Sequence, residues 1–280
     1  MKKSKLLAAI LLASGSALAL EVNPPLGLQL VSLHERLNAD VPGGLDLVKS
    51  YGITLVETAG TCGLTPEQFR AQIDAHGLKV FSSHFQYGAL AADLPKVIAE
   101  AKVLGSGNIV VPWIPHKGVF TAAMARKAAA DFNSWGATIK AAGLRLGYHP
   151  HGGEFEELPE GGTGFDVLIQ ETDPSLVFFE MDIFWVAHAG QDPVALLKKY
   201  PARWKMFHLK DMRKGATTGI FTGQAPITDF VPLGTGRLDI PAILAEGRRI
   251  GIEYDIIEDE GVDHARNIPV SMRYLDSIKP

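Results

Sequence analysis

The feature that most constrains this chain is an alternation that runs from Gly27 to its end. Short apolar runs take turns with segments of helical periodicity. Eight runs read as strands, over 27–33, 53–57, 78–83, 108–112, 144–149, 176–181, 204–209 and 253–257. The clearest helix start between them is Thr65-Pro66-Glu67-Gln68. There Thr65 is the N-cap, Pro66 the first helical residue and Gln68 the partner that closes a capping box. Phe69 and Ile73 supply that helix's buried stripe, and Gly77 ends it. Phe120, Met124, Phe132, Trp135 and Ile139 recur at helical spacing in a longer helix stopped by Gly143. Further helices are expected over 44–51, 94–104, 165–171, 193–200, 241–250 and 264–277. Eight such units predict one domain, an α/β protein of the (β/α)8 TIM barrel class. A doubly wound open sheet would place a glycine-rich phosphate fingerprint after the first strand, and none is there. The longest connection, 210–237, has the length of a loop that closes over a site.

The first residues are set apart from this pattern. Lys2, Lys3 and Lys5 precede a short apolar run, and Ala17-Leu18-Ala19 offers the small-x-small pattern of a signal-peptide cleavage site. Residues 1–19 are therefore expected to be a signal peptide and 20–280 the barrel domain, in a periplasmic or secreted protein. The run from Leu6 to Leu20 is too short for a membrane anchor and is broken by Ser14, Gly15 and Ser16. Cleavage removes three lysines and no acids, taking the formal charge from −4 to −7 over 261 residues. A chain this acidic has no basic footprint for nucleic acid. Cys62 is the one cysteine, so no internal disulfide is available.

In a barrel the chemistry gathers where strands end, because the loops after the strands build the active face. Glu57 ends the second strand and His84 follows the third. His149, His151 and Glu154 follow the fifth, Asp182 the sixth, His208 lies near the end of the seventh, and Glu258 ends the eighth. One strand-end histidine is usually a structural residue, and Asp182 alone would serve as a helix cap. Four consecutive strands each delivering an imidazole or carboxylate at the same end match the ligand chemistry of a divalent cation such as Mn²⁺, Zn²⁺, Co²⁺ or Mg²⁺.

The residues resemble the xylose-isomerase-like barrels known as sugar phosphate isomerases/epimerases. The resemblance is carried by GLQLVSL (27–33), ITLVETAG (53–60), SSHF (82–85), GLRLGYHPHGGEF (143–155), FFEMDIFWVAHAGQDPV (178–194), FHLKD (207–211), PLGTGRLDI (232–240) and YDIIEDE (254–260). It implies a metal held by one residue from each of the last four strands: His149 or Glu154, then Asp182, His208 and Glu258. Many relatives have a glutamate within the fifth strand, where direct register places His149 here. Related epimerases carry a substrate-binding histidine three residues after the strand-six aspartate, where this chain has Trp185. Many carry an arginine where this chain has His34.

Such a site implies proton movement next to a carbonyl, with the metal polarising the C=O and stabilising an enediolate. Glu258, Glu154 and His151 are the acid/base candidates. His84 and Lys210 are candidates for contacting substrate oxygens, and Trp113, Phe155 and Trp185 for apolar walls. The expected function is a metal-dependent sugar isomerase or epimerase acting on a free sugar or sugar derivative, possible as a homo-oligomer. Two alternatives stand beside it. One is a lyase or hydratase acting on keto-sugars or 3-keto-glycosides; the other is a sugar-binding barrel without turnover.

Overall fold

A computed structural model describes residues 24–278, so the expected signal peptide lies outside the described residues. Eight parallel strands close into a barrel: β1 (Leu26–Gln29), β2 (Leu55–Thr58), β3 (Lys79–His84), β4 (Asn108–Val111), β5 (Arg145–Tyr148), β6 (Val177–Asp182), β7 (Trp204–Leu209) and β8 (Tyr254–Ile257). β1 pairs with both β2 and β8, which closes the ring. The helices outside it are α1 (His34–Ala39), α2 (Val41–Ser50), α3 (Pro66–Ala75), α4 (Tyr87–Leu104) and α5 (Ala122–Ala141). They continue with α6 (Gly164–Glu171), α7 (Ile183–His188), α8 (Pro193–Lys199), α9 (Ile240–Ile250) and α10 (His264–Ser277). Among the described residues no helix is long and apolar enough to cross a membrane.

Alternation along the strands divides the molecule into two cores. Leu28, Val56, Ile109, Leu146, Phe179, Met181 and Phe207 belong to the large core shared with the helices. Their neighbours in sequence make a separate cluster of Phe81, Val110, Phe178, Met206 and Ile256, which fills the lower barrel. Gly147 on β5 is required there, because a Cβ would sit 2.5 Å from the Phe178 ring. One step further along the same strands the interior turns polar, with Gln29, Glu57, Glu180, Asp182 and His208 all buried. The apolar floor thus ends where the site begins.

Most element boundaries follow the local signals. The capping box of α3 is present in both directions, and Phe69 and Ile73 are fully buried. Three differences have local causes. The first strand stops at Gln29, whose side-chain oxygen accepts from Val31 N at 3.2 Å and turns Leu30–Leu33 into a single 3-10 turn. The helix expected over 94–104 begins at Tyr87 and kinks at Asp93, whose carboxylate accepts from Lys96 N and restarts the helix before Pro95. The unexpected α7 begins on the Asp182 carboxylate, whose Oδ1 accepts from Phe184 N at 2.9 Å and Trp185 N at 3.0 Å.

Candidate metal centre

Asp182 and His208 are register partners on β6 and β7, so their side chains enter the upper barrel side by side. His208 Nδ1 faces Glu258 Oε2 at 2.6 Å. His149 brings Nε2 to 3.6 Å from Asp182 Oδ2. His149 Nε2 is buried with no hydrogen-bond partner among the described residues, and Asp182 Oδ2 is paired with the Lys210 ammonium at 2.9 Å. Asp182 therefore does two jobs at once: Oδ1 caps α7, and Oδ2 faces His149 and the Lys210 ammonium inside the barrel. An unpartnered imidazole nitrogen beside a buried carboxylate oxygen, with His208 Nδ1 and Glu258 next to them, is a donor set that fits a divalent cation. Asp182, His208 and Glu258 present ligand atoms within 4.8 Å of one another. His84, His149, Glu180 and His208 form a second such group, deeper in the barrel.

Glu154 stands apart from this convergence. Its buried carboxylate accepts from the Tyr148 hydroxyl and from Gly152 N at 3.1 Å. Burial pushes its pKa up against those hydrogen bonds. Glu154 braces the loop that carries His149 and His151, and the strand-five position nearest Asp182 belongs to His149. His151 lies against His149, with ring centroids 4.5 Å apart, and edge-on to Trp113 at 5.9 Å. Burial, aided by the nearby Lys210 charge, pushes His151 down to about 3, so its ring is neutral. The His84 ring lies parallel to that of His208, and its Nε2 reaches Glu180 Oε2 at 3.1 Å. Burial opposes its protonation, yet the Glu57 charge and bonds to both glutamates hold His84 up at about 9.

Lys210 is almost fully buried. Its Nζ lies 2.9 Å from both Asp182 Oδ2 and Glu258 Oε2, and pairs also with Glu260. Burial would discharge it, but these three carboxylates raise its pKa well above the ordinary lysine value. Its ammonium is 5.7 Å from the Trp185 ring centre. Trp185 is itself buried, so it backs the site rather than lining an open wall. Trp113 stacks on His116 at the rim, at 4.6 Å. Phe155 packs on Phe165 in the core and forms no wall of the site. His34 is exposed at the start of α1, where its Nδ1 meets Val31 O.

A cavity of about 500 Å³ opens above these groups. Val31, Thr58, Gly60, His84, Gln86 and His151 line it, with Glu258 and Glu260 on one side. That volume lies within the ordinary range of small-molecule sites. The long loop packs against the segments that follow β4, β5 and β6. Gly219 N and Ile220 N donate to His188 O, Phe221 O lies beside Gly153, and Gly223 sits against Trp113 and His151.

Sequence reasoning missed Glu180, Gln29 and Glu260. Glu180 had a readable signal: it stands two residues before Asp182, and alternation puts both on the interior face of β6. The run Val177–Asp182 reads as a strand buried on both sides, and that hid the glutamate within it.

Residues 45–278 match the family described as the xylose isomerase-like TIM barrel. The chain belongs to this family. Within the xylose isomerase-like barrels it is similar to the inosose dehydratase of Clostridium tetani, at 32% identity over 138 residues. That match covers 49% of this chain and 45% of the dehydratase, so the chain spans under half the length of this curated relative. The solved structure of a sugar phosphate isomerase/epimerase from Parabacteroides distasonis superposes with a TM-score of 0.74 at 26% identity, covering 95% of this chain and 96% of that one. The IOLI protein, solved with a bound zinc atom, has the same fold, with a TM-score of 0.69 at 12% identity over 91% of this chain and 97% of its own.

Proposed function

We propose that this chain is a divalent-metal-dependent sugar isomerase or epimerase that moves a proton next to a carbonyl. The observation that carries the reading is the grouping of Asp182, His208 and Glu258 ligand atoms within 4.8 Å of one another, with His149 Nε2 3.6 Å from Asp182 Oδ2 and both His149 and Glu258 lining the cavity. A bound cation there would polarise a carbonyl oxygen and offset negative charge as the neighbouring carbon loses its proton. Lys210 holds a second, permanent positive charge beside the same oxygens, kept in place by Glu260. His151 stands next to the ligand set with Nδ1 unpartnered among the described residues, and its neutral ring is placed to hydrogen-bond a substrate oxygen. Trp113 and Gly223 of the long loop pack beside it.

A second reading keeps the same machinery and ends in elimination: a dehydratase or lyase acting on a keto-sugar, keto-cyclitol or 3-keto-glycoside. The similarity to inosose dehydratases favours it. So does Lys210, whose buried positive charge among Asp182, Glu258 and Glu260 would offset charge developing on a departing oxygen. NMR of metal-loaded protein in D2O with ketoses, inososes and 3-keto-glycosides separates the readings. Deuterium entering the carbon next to the carbonyl without loss of a group supports the isomerase or epimerase. Loss of water or of the aglycone supports the lyase. No exchange and no loss on any of them contradicts both. The charged N-terminus with Ala17-Leu18-Ala19 favours a site of action outside the cytoplasm. N-terminal sequencing of exported protein beginning at Leu20 is the expected outcome, and an uncleaved cytoplasmic chain the contrary one.

A further inference from the structure

Beside His149 and His208 lies a layer of two buried carboxylates, Glu57 and Glu180. His149 Nδ1 contacts Glu180 Oε2 at 2.8 Å, and His208 Nε2 contacts Glu57 Oε2 at 2.6 Å. Each imidazole therefore spends one nitrogen on an interior glutamate. The other nitrogen of each, His149 Nε2 and His208 Nδ1, is turned up toward Asp182 and Glu258.

The glutamates are themselves held. Gln29 Nε2 donates to Glu57 Oε2 at 2.9 Å, and its other end fixes the Val31 N–H. His84 Nε2 donates to Glu180 Oε2 at 3.1 Å and lies 3.4 Å from Glu57, tying the two carboxylates together. The donors and acceptors balance, with Glu57 taking Gln29 and His208, and Glu180 taking His84 and His149. Glu57 Oε1 and Glu180 Oε1 are buried without a partner among the described residues. Keeping two carboxylates in a buried interior, with one oxygen of each unpaired among the described residues, opposes folding. A layer that costs stability and touches the ligand histidines has its explanation in the site above it.

We propose that Glu57 and Glu180 are positioning residues that fix His208 and His149 in the ring orientation and tautomer needed to bind the divalent ion. The inference rests on the metal-dependent reading. A carboxylate accepting from one ring N–H leaves the lone pair on the other nitrogen and raises its basicity. Gln29 and His84 keep the carboxylates in register with the two rings. His84 thus takes a structural place as well as a rim position in the cavity.

The test titrates metal-stripped protein with Co²⁺ by calorimetry and visible absorption, alongside Glu57→Gln and Glu180→Gln. Wild type is expected to bind one ion per chain. Each variant is expected to bind 10–100-fold more weakly and to show an altered cobalt ligand-field spectrum. Long-range ¹H–¹⁵N spectra of the zinc-loaded wild type need no variant. They are expected to place the His149 proton on Nδ1 and the His208 proton on Nε2. Variants with wild-type affinity and spectrum would overturn the proposal, as would the opposite tautomers. Failure of wild type to bind any ion would overturn the metal reading itself, a different and recognisable result. If a glutamine variant does not fold, Glu57→Asp and Glu180→Asp, together with the wild-type tautomers, decide the question.

Discussion

At the scale of single residues, one strand supplies three kinds of work within three positions. Glu180 faces inward, Met181 joins the outer core, and Asp182 faces inward again. The two readings of Asp182 in the sequence, helix cap or metal ligand, are compatible because a carboxylate has two oxygens. The choice between His149 and Glu154 was not legible, since both follow the fifth strand and loop geometry decides between them. It turns on the Tyr148 hydroxyl, which captures Glu154 from below. His149→Ala is therefore expected to weaken metal binding by 100-fold or more. Glu154→Gln is expected to keep one ion per chain while losing about 1–3 kcal/mol of unfolding free energy, the usual cost of disturbing a buried hydrogen-bonded polar group. Metal analysis and urea denaturation of the two variants check both statements.

At the scale of elements, the long loop is anchored by a link that local sequence patterns do not reveal. The buried Asp211 carboxylate accepts from Met212 N, Gly234 N, Gly236 N and Leu238 N at 2.8–3.1 Å. The short GTG segment is the other half of that contact. A Cβ at Gly236 would lie 2.3 Å from the Asp211 carboxylate and from Met212 O, so the turn closes only on glycine. Arg213 then ties to Asp229 at 2.6 Å, and Asp211–Met212 pairs with Phe230–Val231 as a small antiparallel ribbon. Asp211→Ala is expected to leave the barrel folded and to release 213–230 to limited proteolysis at least tenfold faster. Cleavage at the wild-type rate would contradict this anchoring.

β8 carries a separate test. Asp255 faces away from the barrel interior, and burial pushes it up to about 6, with Arg248 acting in the opposite direction. Its folded pKa lies above the ordinary aspartate value, so the native state holds this proton longer than the unfolded chain does. Its contribution is thus fully present below about pH 4 and is lost as pH rises through about 6. Relative to wild type, Asp255→Asn is expected to gain about 2 kcal/mol between pH 4.5 and 7.5. Urea unfolding at the two values reads this directly, and a difference independent of pH would show that Asp255 is not destabilised by its burial.

At the scale of the whole molecule, the barrel is a stack. Apolar side chains fill the lower interior, a glutamate–histidine–glutamine layer lies on them, the four convergent groups sit above, and the cavity opens at the top. The eight-unit alternation made the barrel legible because each strand–helix unit carries its own start and stop signals. Which strand-end groups meet was only partly legible, because that depends on register between strands far apart in sequence. An ion that binds the folded chain and not the unfolded one should also stabilise it. At a hundredfold excess over its dissociation constant, the gain is expected to be about 2.7 kcal/mol, seen as a raised Tm.

Calorimetric titration of metal-stripped protein with Zn²⁺ tests the central claim most directly, run on wild type, His149→Ala, Asp182→Asn and Glu154→Gln. The expected result is one ion per chain in wild type and Glu154→Gln, with binding lost or severely weakened in the other two. Binding that survives His149→Ala and disappears in Glu154→Gln would contradict the site described, and no binding in any of them would contradict the metal-dependent account.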